Sequence, residues 1–332
     1  MRGRRRRDGG RILLMGIAAV LLVAVAIFAV LVGIEFSRLG GEEPVESPNN
    51  NDIPEPDKKF ETAEIEIPTA DLHTGLLILI NEDHPYIFPE NEPDVVPIVN
   101  GRESHGTSAL RNPIFSYYTQ NGIDKCAKME GSTLEFFRRW ADDFYKATGN
   151  SDLFVFDEDG YRTKEYQAER YSSKPLDYAE AGATEHHTGR VVDLYVFTGK
   201  ITGKLDDIDF AATFKWIYDN AYKYGFVHRY PESKAAITGV DYESYHFRYV
   251  GYPHAYYMSK NGICLEEYLN KVKTCTADAP LEFRGDDGKN YMVYYFPAGE
   301  GEMTTLTVPA EYTYTVSGDN VGGFIITVEV DK

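Results

Sequence analysis

The chain has 332 residues, with 34 Lys and Arg against 52 Asp and Glu, a formal net charge of −18. That length accommodates one sizeable catalytic domain and a smaller appendage. A net acidic surface excludes nucleic acid as a partner, since phosphate contacts need clustered basic groups, and the acidity is otherwise read as a solubility feature.

Arg2, Arg4, Arg5, Arg6, Arg7 and Arg11 precede 23 uncharged residues, Ile12 to Ile34. As a helix that stretch is roughly 35 Å long, enough to cross a hydrocarbon core of about 30 Å with some tilt. A cleaved signal peptide would have a shorter apolar region, of about 7 to 15 residues, so an uncleaved anchor is expected. With the arginines before the helix and Glu35, Glu42, Glu43 and Glu46 after it, the positive-inside rule leaves the amino terminus in the cytoplasm. The expectation is a single-pass protein of the cell membrane: a basic tail over 1–11, a transmembrane helix over 12–34, and everything beyond outside the cell. Without the six arginines and Asp8, the exported part has 28 basic and 51 acidic residues, a net of −23. Residues 35–59, rich in Gly, Pro, Glu and Asn, cannot bury enough apolar surface to order themselves and predict a disordered linker.

Folding is expected from Phe60. Ile65 and Ile67, then Leu76 to Ile80, read as strands. Pro89 to Asn112 reads as a long loop. His73, His84 and His105 have no ligand-type neighbour at useful spacing and are not assigned to a metal. Ser132-Thr-Leu-Glu135 has the form of a capping box, followed at helical spacing by Leu134, Phe137, Ala141 and Phe144 and stopped by Gly149. After the apolar run Leu153 to Phe156, Asp157-Glu-Asp-Gly160 lacks the ligand spacing of a calcium loop and reads as a surface turn. Arg162 follows it; on the residues alone it is a surface salt bridge.

Two segments then supply imidazole and carboxylate together: Thr184-Glu-His-His-Thr-Gly-Arg-Val-Val-Asp-Leu194 and Tyr242-Glu-Ser-Tyr-His-Phe-Arg-Tyr-Val-Gly251. These are the donors of a zinc site with one position left open, and they predict a metal-dependent hydrolase. Arg190 to Val196 alternates as one strand, with Val191, Asp193 and Tyr195 on one face, and a turn at Gly189 can bring a histidine back toward it. The spacing to Gly189 and Asp193 selects His186, with its neighbour His187 left to the pocket wall. Glu243 and His246 are three apart and would face opposite ways on a regular strand, so a turn or bulge is required there. Between the segments, Asp206 to Tyr224 reads as an amphipathic helix with Ile208, Ala212, Trp216 and Ala221 on one side and Gly225 as terminator. His228 and His254 are read as core or surface residues.

Leu265 to Lys273 predicts a closing helix. Leu281 to Phe283 and Tyr291 to Phe296 predict a hairpin turned by Asp286-Asp-Gly288, with further strands at Thr304 to Val308, Tyr312 to Val316 and Phe324 to Val330. Together, 263–332 is expected to be a closing helix and a small all-β appendage without a catalytic constellation. Cys126, Cys264 and Cys275 are odd in number, so one thiol stays unpaired within the chain, and the helix between Cys264 and Cys275 holds those two apart.

Taken in order, Gly160-Tyr-Arg-Thr-Lys-Glu-Tyr-Gln167, the Thr184 segment, Lys223-Tyr-Gly-Phe-Val-His-Arg-Tyr-Pro231 with Ile237-Thr-Gly-Val-Asp-Tyr-Glu243, and the Tyr242 segment resemble the VanY-type D-alanyl-D-alanine carboxypeptidases. These are zinc peptidases that trim peptidoglycan stem peptides, with the pattern Ser-x-His-x-x-Gly-x-Ala-x-Asp followed by Glu-x-Trp-His. The resemblance spans roughly Asp71 to Gly262. Thr184, Val191 and Tyr245 stand where the family has Ser, Ala and Trp, keeping a hydroxyl at the first position and an aromatic wall at the last.

Carried over residue by residue, the resemblance implies one zinc ion on His186, Asp193 and His246, with Glu243 as general base. It further implies that Arg162 grips the substrate's terminal carboxylate, with Gln167, Thr184 and Tyr245 in the substrate pocket. The expected fold is α+β: a zinc peptidase domain over 60–262 with a small antiparallel sheet flanked by helices, plus the transmembrane helix and the all-β appendage. The expected function is a membrane-anchored carboxypeptidase removing the terminal D-alanine of stem peptides. L,D-carboxypeptidase action on tetrapeptide stems is a sister activity, and a non-catalytic wall-binding or signalling ectodomain is the alternative from another class. The spare carboxylate of Glu243 argues against the latter. The sequence carries no signal of oligomeric state.

Overall fold

The computed structural model describes residues 61–98, 127–198 and 201–330. The basic tail, the Ile12 to Ile34 stretch, the linker, His105 and Cys126 lie outside them. Among the described residues no helix is long and apolar enough to cross a membrane.

Strand β1 (Thr62–Pro68) opens the described chain, and β2 (Val95–Pro97) pairs antiparallel with β3 (Lys128–Glu130) just ahead of helix α1 (Gly131–Thr148). The helix cap differs from the expected Ser132 box. The Glu130 carboxylate accepts the free N–H groups of Ser132 and Thr133 at 3.3 and 3.0 Å. A full negative charge there also complements the helix dipole, so the cap moves upstream. The apolar face is the expected one, with Leu134, Phe137, Ala141 and Phe144 buried and Trp140 added to it.

Downstream come β4 (Leu153–Phe154), helix α2 (Lys164–Ser173), β5 (Val191–Asp193), β6 (Tyr195–Phe197), β7 (Thr202–Lys204) and helix α3 (Ala211–Asn220). The single strand expected over Arg190 to Val196 is two strands in different sheets. β6 pairs with β4 and β7, whereas β5 belongs elsewhere. Between them, Leu194 donates its N–H to the Tyr245 carbonyl at 2.8 Å. Helix α3 starts five residues later than expected and buries Phe214 and Ile217, while Ile208 is 94% exposed. Of the expected face, Ala221 is in the core and Trp216 packs against it, whereas Ile208 and Ala212 give way to Phe214, whose ring carries more apolar area inward.

The catalytic half is organised by β8 (Phe226–Tyr230), the single turn α4 (Ala235–Thr238) and β9 (Glu243–Tyr249), with strand order β5-β9-β8. Trp140 of α1 stacks on Phe226 at 5.0 Å and meets Phe247 edge-on at 5.1 Å, fixing that helix against the sheet. His228 pairs with Phe247 but Tyr230 with Glu243, so residues 244–246 stand opposite Arg229 alone. This is the irregularity that the Glu243 to His246 spacing demands.

Helices α5 (Tyr252–Asn261) and α6 (Leu265–Val272) lead to β10 (Leu281–Arg284), β11 (Asn290–Pro297), β12 (Met303–Pro309), β13 (Thr313–Gly318) and β14 (Gly323–Val330). The sheet order is β10-β11-β14-β13, with the expected hairpin between β10 and β11. Contacts cross the expected 262/263 boundary, within the unit Phe60–Lys332. β1 pairs along its whole length with β12, and Leu77 and Leu79 share a core with Val250, Leu269, Val293 and Ile325. Leu76 to Ile80 is not a strand either. Its buried backbone donors are met instead by Ser317 Oγ at Leu77 and by the Asp319 carbonyl at Leu79, which answers the same requirement for buried N–H groups. Cys264 and Cys275 are free and buried.

Candidate active site

Strand pairing brings the ligand-type side chains together. Asp193 of β5 stands directly opposite His246 of β9. His186 is delivered by the short 3-10 turn Glu185–Thr188, capped by the Thr184 hydroxyl, which accepts the His186 N–H at 3.4 Å. That turn ends at Gly189 with φ of 68°, where a Cβ would also sit 2.9 Å from Val95 Cγ1. Only glycine meets both conditions.

His186, Asp193 and His246 are buried, and one ligand-type atom of each lies within 4.8 Å of the others. His186 Nε2 is 3.3 Å from Asp193 Oδ2, and His246 Nδ1 is 2.8 Å from Asp193 Oδ1. The Gly160 carbonyl lies 2.7 Å from His186 Nδ1. A carbonyl only accepts, so Nδ1 carries the proton and the Nε2 lone pair faces Asp193. Gly160 allows this approach, because a Cβ there would meet the Lys128 carbonyl oxygen at 2.3 Å.

The electrostatics ask for a positive centre. Burial alone would raise the Asp193 pKa, but His186 and His246 outweigh it and hold the carboxyl far below its usual range. Burial opposes a charge on His246, yet Asp193, Glu185 and Glu243 keep its pKa up at about 10. His186 is pushed down to about 4 by burial and by Arg162, against Asp193. Asp193 Oδ1 is buried, with His246 Nδ1 beside it at 2.8 Å but without a hydrogen bond of good geometry. Two imidazoles and one carboxylate converging on a cleft are the donor set of an open zinc site, and the unsatisfied oxygen is what a cation would complete. These residues fit a zinc ion.

Glu243 Oε2 lies 3.5 Å from His246 Nδ1, and its side chain is 28% exposed against 5% for Asp193. Burial raises its pKa, and the opposing pull of His246 does not cancel that. Arg162 is not a surface salt bridge. Its side chain is 9% exposed, Nε donates to the Glu158 carbonyl at 2.8 Å, and Nη2 is 3.5 Å from Asp193 Oδ2. Gln167 donates from Nε2 to the Ala179 carbonyl at 2.7 Å, while its Oε1 is buried without a partner. Tyr245 stacks on Tyr195 at 5.1 Å and 17°. Arg162, Gln167, Thr184, His186, Asp193, Glu243, Tyr245 and His246 all line one cleft of about 640 Å³.

The other described histidines are occupied away from the cluster. His187 Nδ1 is 2.7 Å from the Arg162 carbonyl, and its Nε2 accepts the Gly182 N–H at 3.0 Å. His228 meets the Glu243 carbonyl, His254 meets Tyr268, and His73 and His84 meet Asn320 and Asn81. Four contributors escape a reading by ligand type. Asp159, placed in a surface turn by sequence, is buried, and its carbonyl accepts the Asp193 N–H at 3.0 Å. Glu185, Arg229 and Arg248 are buried ions around His246. Part of their signal was available: Arg229 and Arg248 each stand next to aromatic residues in a strand, and a charge that is buried there needs a buried partner.

The family model described as VanY, D-alanyl-D-alanine carboxypeptidase, matches residues 138–252. A D-alanyl-D-alanine carboxypeptidase of Enterococcus faecium is 31% identical over 271 residues, covering 80% of this chain and 79% of that protein. One from Enterococcus faecalis is 34% identical over 149 residues, 40% of this chain and 53% of that protein. Among solved structures, the vancomycin resistance D,D-dipeptidase VanXYg in complex with a D-Ala-D-Ala phosphinate analogue superposes with a TM-score of 0.66 at 25% identity. The match covers 81% of this chain and all of the other. With that coverage, the chain belongs to the VanY family of D-alanyl-D-alanine carboxypeptidases, which are zinc-dependent peptidases.

Proposed function

We propose that this enzyme removes the terminal D-alanine from peptidoglycan stem peptides outside the cell, held to the membrane by the apolar stretch Ile12 to Ile34 with its amino terminus in the cytoplasm. The supporting observation is the convergence of His186, Asp193 and His246 within 4.8 Å, with Glu243 at 3.5 Å from His246 on the open side. His186 through Nε2, His246 through Nδ1 and Asp193 would hold the zinc ion. When bound, zinc supplies Lewis acidity, acidifying water and withdrawing charge from a carbonyl oxygen.

The protein's own groups do the rest. Glu243 takes the proton of the attacking water and returns it to the departing D-alanine amine. Burial raises its pKa, which makes it a better proton acceptor. Arg162 offers a planar fork to the free carboxylate at the end of the substrate. Tyr245, braced by Tyr195, forms a flat wall against the peptide. The test is D-alanine release from pentapeptide and tetrapeptide stems, with and without chelator. Chelator-sensitive release from the pentapeptide is expected; release only from the tetrapeptide would redirect the assignment to L,D-carboxypeptidase action.

A further inference from the structure

A buried row of charges runs from His246 to helix α6. Glu185 is fully buried, and its Oε2 faces His246 Nε2 at 3.6 Å, an ion-pair separation. Neither atom has a hydrogen-bond partner among the described residues. The other oxygen, Oε1, accepts from Arg229 Nε at 2.9 Å and lies 3.4 Å from Arg248 Nη1. Arg229, 1% exposed at its side chain, turns the far edge of its guanidinium to Glu266 in the first turn of α6, donating from Nη1 and Nη2 at 2.9 and 2.6 Å.

Burying such ions costs several kcal/mol each, and buried pairs often contribute no more stability than apolar residues of the same size. The row therefore calls for a role other than stability. An imidazole that offers Nδ1 to a metal carries its proton on Nε2. A carboxylate opposite that N–H fixes the ring's rotation and tautomer and strengthens the ring as a donor. Glu185 can do this only if its own carboxylate is held. Arg229 holds one oxygen and leaves the other toward His246, and Glu266 holds Arg229.

We infer that Glu185 and Arg229 are positioning residues that hold His246 for metal binding, and that Glu266 anchors them. Helix α6, outside the two ligand-bearing segments, is thereby part of the metal site's support. The inference rests on His246 being a ligand, as proposed above. It is tested on the full chain by zinc affinity, measured in competition with a chromogenic chelator, alongside the melting temperature of the metal-free protein. Glu185→Gln should weaken zinc binding about 10- to 100-fold, and Glu266→Gln should weaken it less, in the same direction. Thr327→Val, which alters a buried residue of β14, should lower the melting temperature without moving the affinity. His246→Ala identifies which reading fails. Wild-type affinity in His246→Ala overturns the ligand set. Impaired affinity there, with wild-type affinity in Glu266→Gln and in any folded Glu185→Gln, overturns the positioning row alone.

Discussion

The sheet β5-β9-β8 and the sheet β10-β11-β14-β13 differ in what surrounds their buried charges. At the turn between β13 and β14, Asp319 is fully buried, and its Oδ1 accepts the N–H groups of Val321, Gly322 and Gly323 at 2.8, 2.7 and 3.0 Å. Its other oxygen forms no hydrogen bond and faces Lys273 at 3.3 Å. His254, buried where α5 meets β14, has Tyr268 at Nδ1 and Thr327 at Nε2. Around His246, Asp193 Oδ1 and the facing pair His246 Nε2 and Glu185 Oε2 are as deeply buried and form ion pairs, at 2.8 and 3.6 Å, without hydrogen bonds. Buried polar atoms in native proteins are nearly always satisfied. At the turn one carboxylate meets three backbone N–H groups and one lysine, which holds the fold; around His246 three carboxylates, Asp193, Glu185 and Glu243, converge beside an open cleft, which is the arrangement of a site.

The comparison breaks first at Glu243. Glu243→Gln keeps the side chain's shape and removes its basicity, so D-alanine release should fall about 100-fold or more while zinc content stays near one per chain. Undiminished turnover would remove Glu243 from the reaction. Next is Arg162→Lys, which keeps the charge but loses the fork. The loss of charge-assisted hydrogen bonds worth about 1.5 to 3 kcal/mol should lower kcat/KM roughly 10- to 100-fold, with zinc retained. A substrate whose terminal carboxylate is amidated should show no such difference between the two proteins. If it does, the fork grips another group.

That two-region contrast also separates what the sequence could tell from what it could not. The α1 face was legible because Leu134, Phe137, Ala141 and Phe144 recur at the helical period, and a period is a local property. The ligand triad was legible through its ordered motifs, and the bulge through the parity conflict between Glu243 and His246. The partner of β1 was not, since its pairing with β12 joins residues some 240 positions apart and any exposed apolar edge would have served. Leu76 to Ile80 misled because its apolar run satisfies its N–H groups on Ser317 and Asp319 rather than on a neighbouring strand. Glu185 was hidden beside His186, since its role depends on Arg229 and Glu266, which only the fold brings near.

In the C-terminal sheet the opposite outcome is expected. Asp319→Asn retains an acceptor for the turn but loses the charge that strengthens three N–H bonds and faces Lys273, so stability should fall by about 1 to 2 kcal/mol. Chemical denaturation measures this, and kcat per folded molecule should be unaltered. A drop in kcat matching that of Glu243→Gln would mean the two regions are not separable in function.

The smallest expected effect is a slope rather than an offset. Burial pushes the His254 pKa down to about 3 from an ordinary value of 6.5, so the folded state keeps this ring neutral where the unfolded chain protonates it. Its stabilising contribution is complete above pH 6.5 and is lost as pH falls toward 3. Replacing the ring by a group that does not titrate removes that dependence. The stability advantage of the wild type over His254→Gln, measured metal-free by denaturant titration, should therefore narrow below pH 6, approaching about 1 kcal/mol per pH unit. A gap that stays constant between pH 7 and 4 would mean that His254 takes up its proton inside the fold, which Tyr268 and Thr327 give it no anion to support.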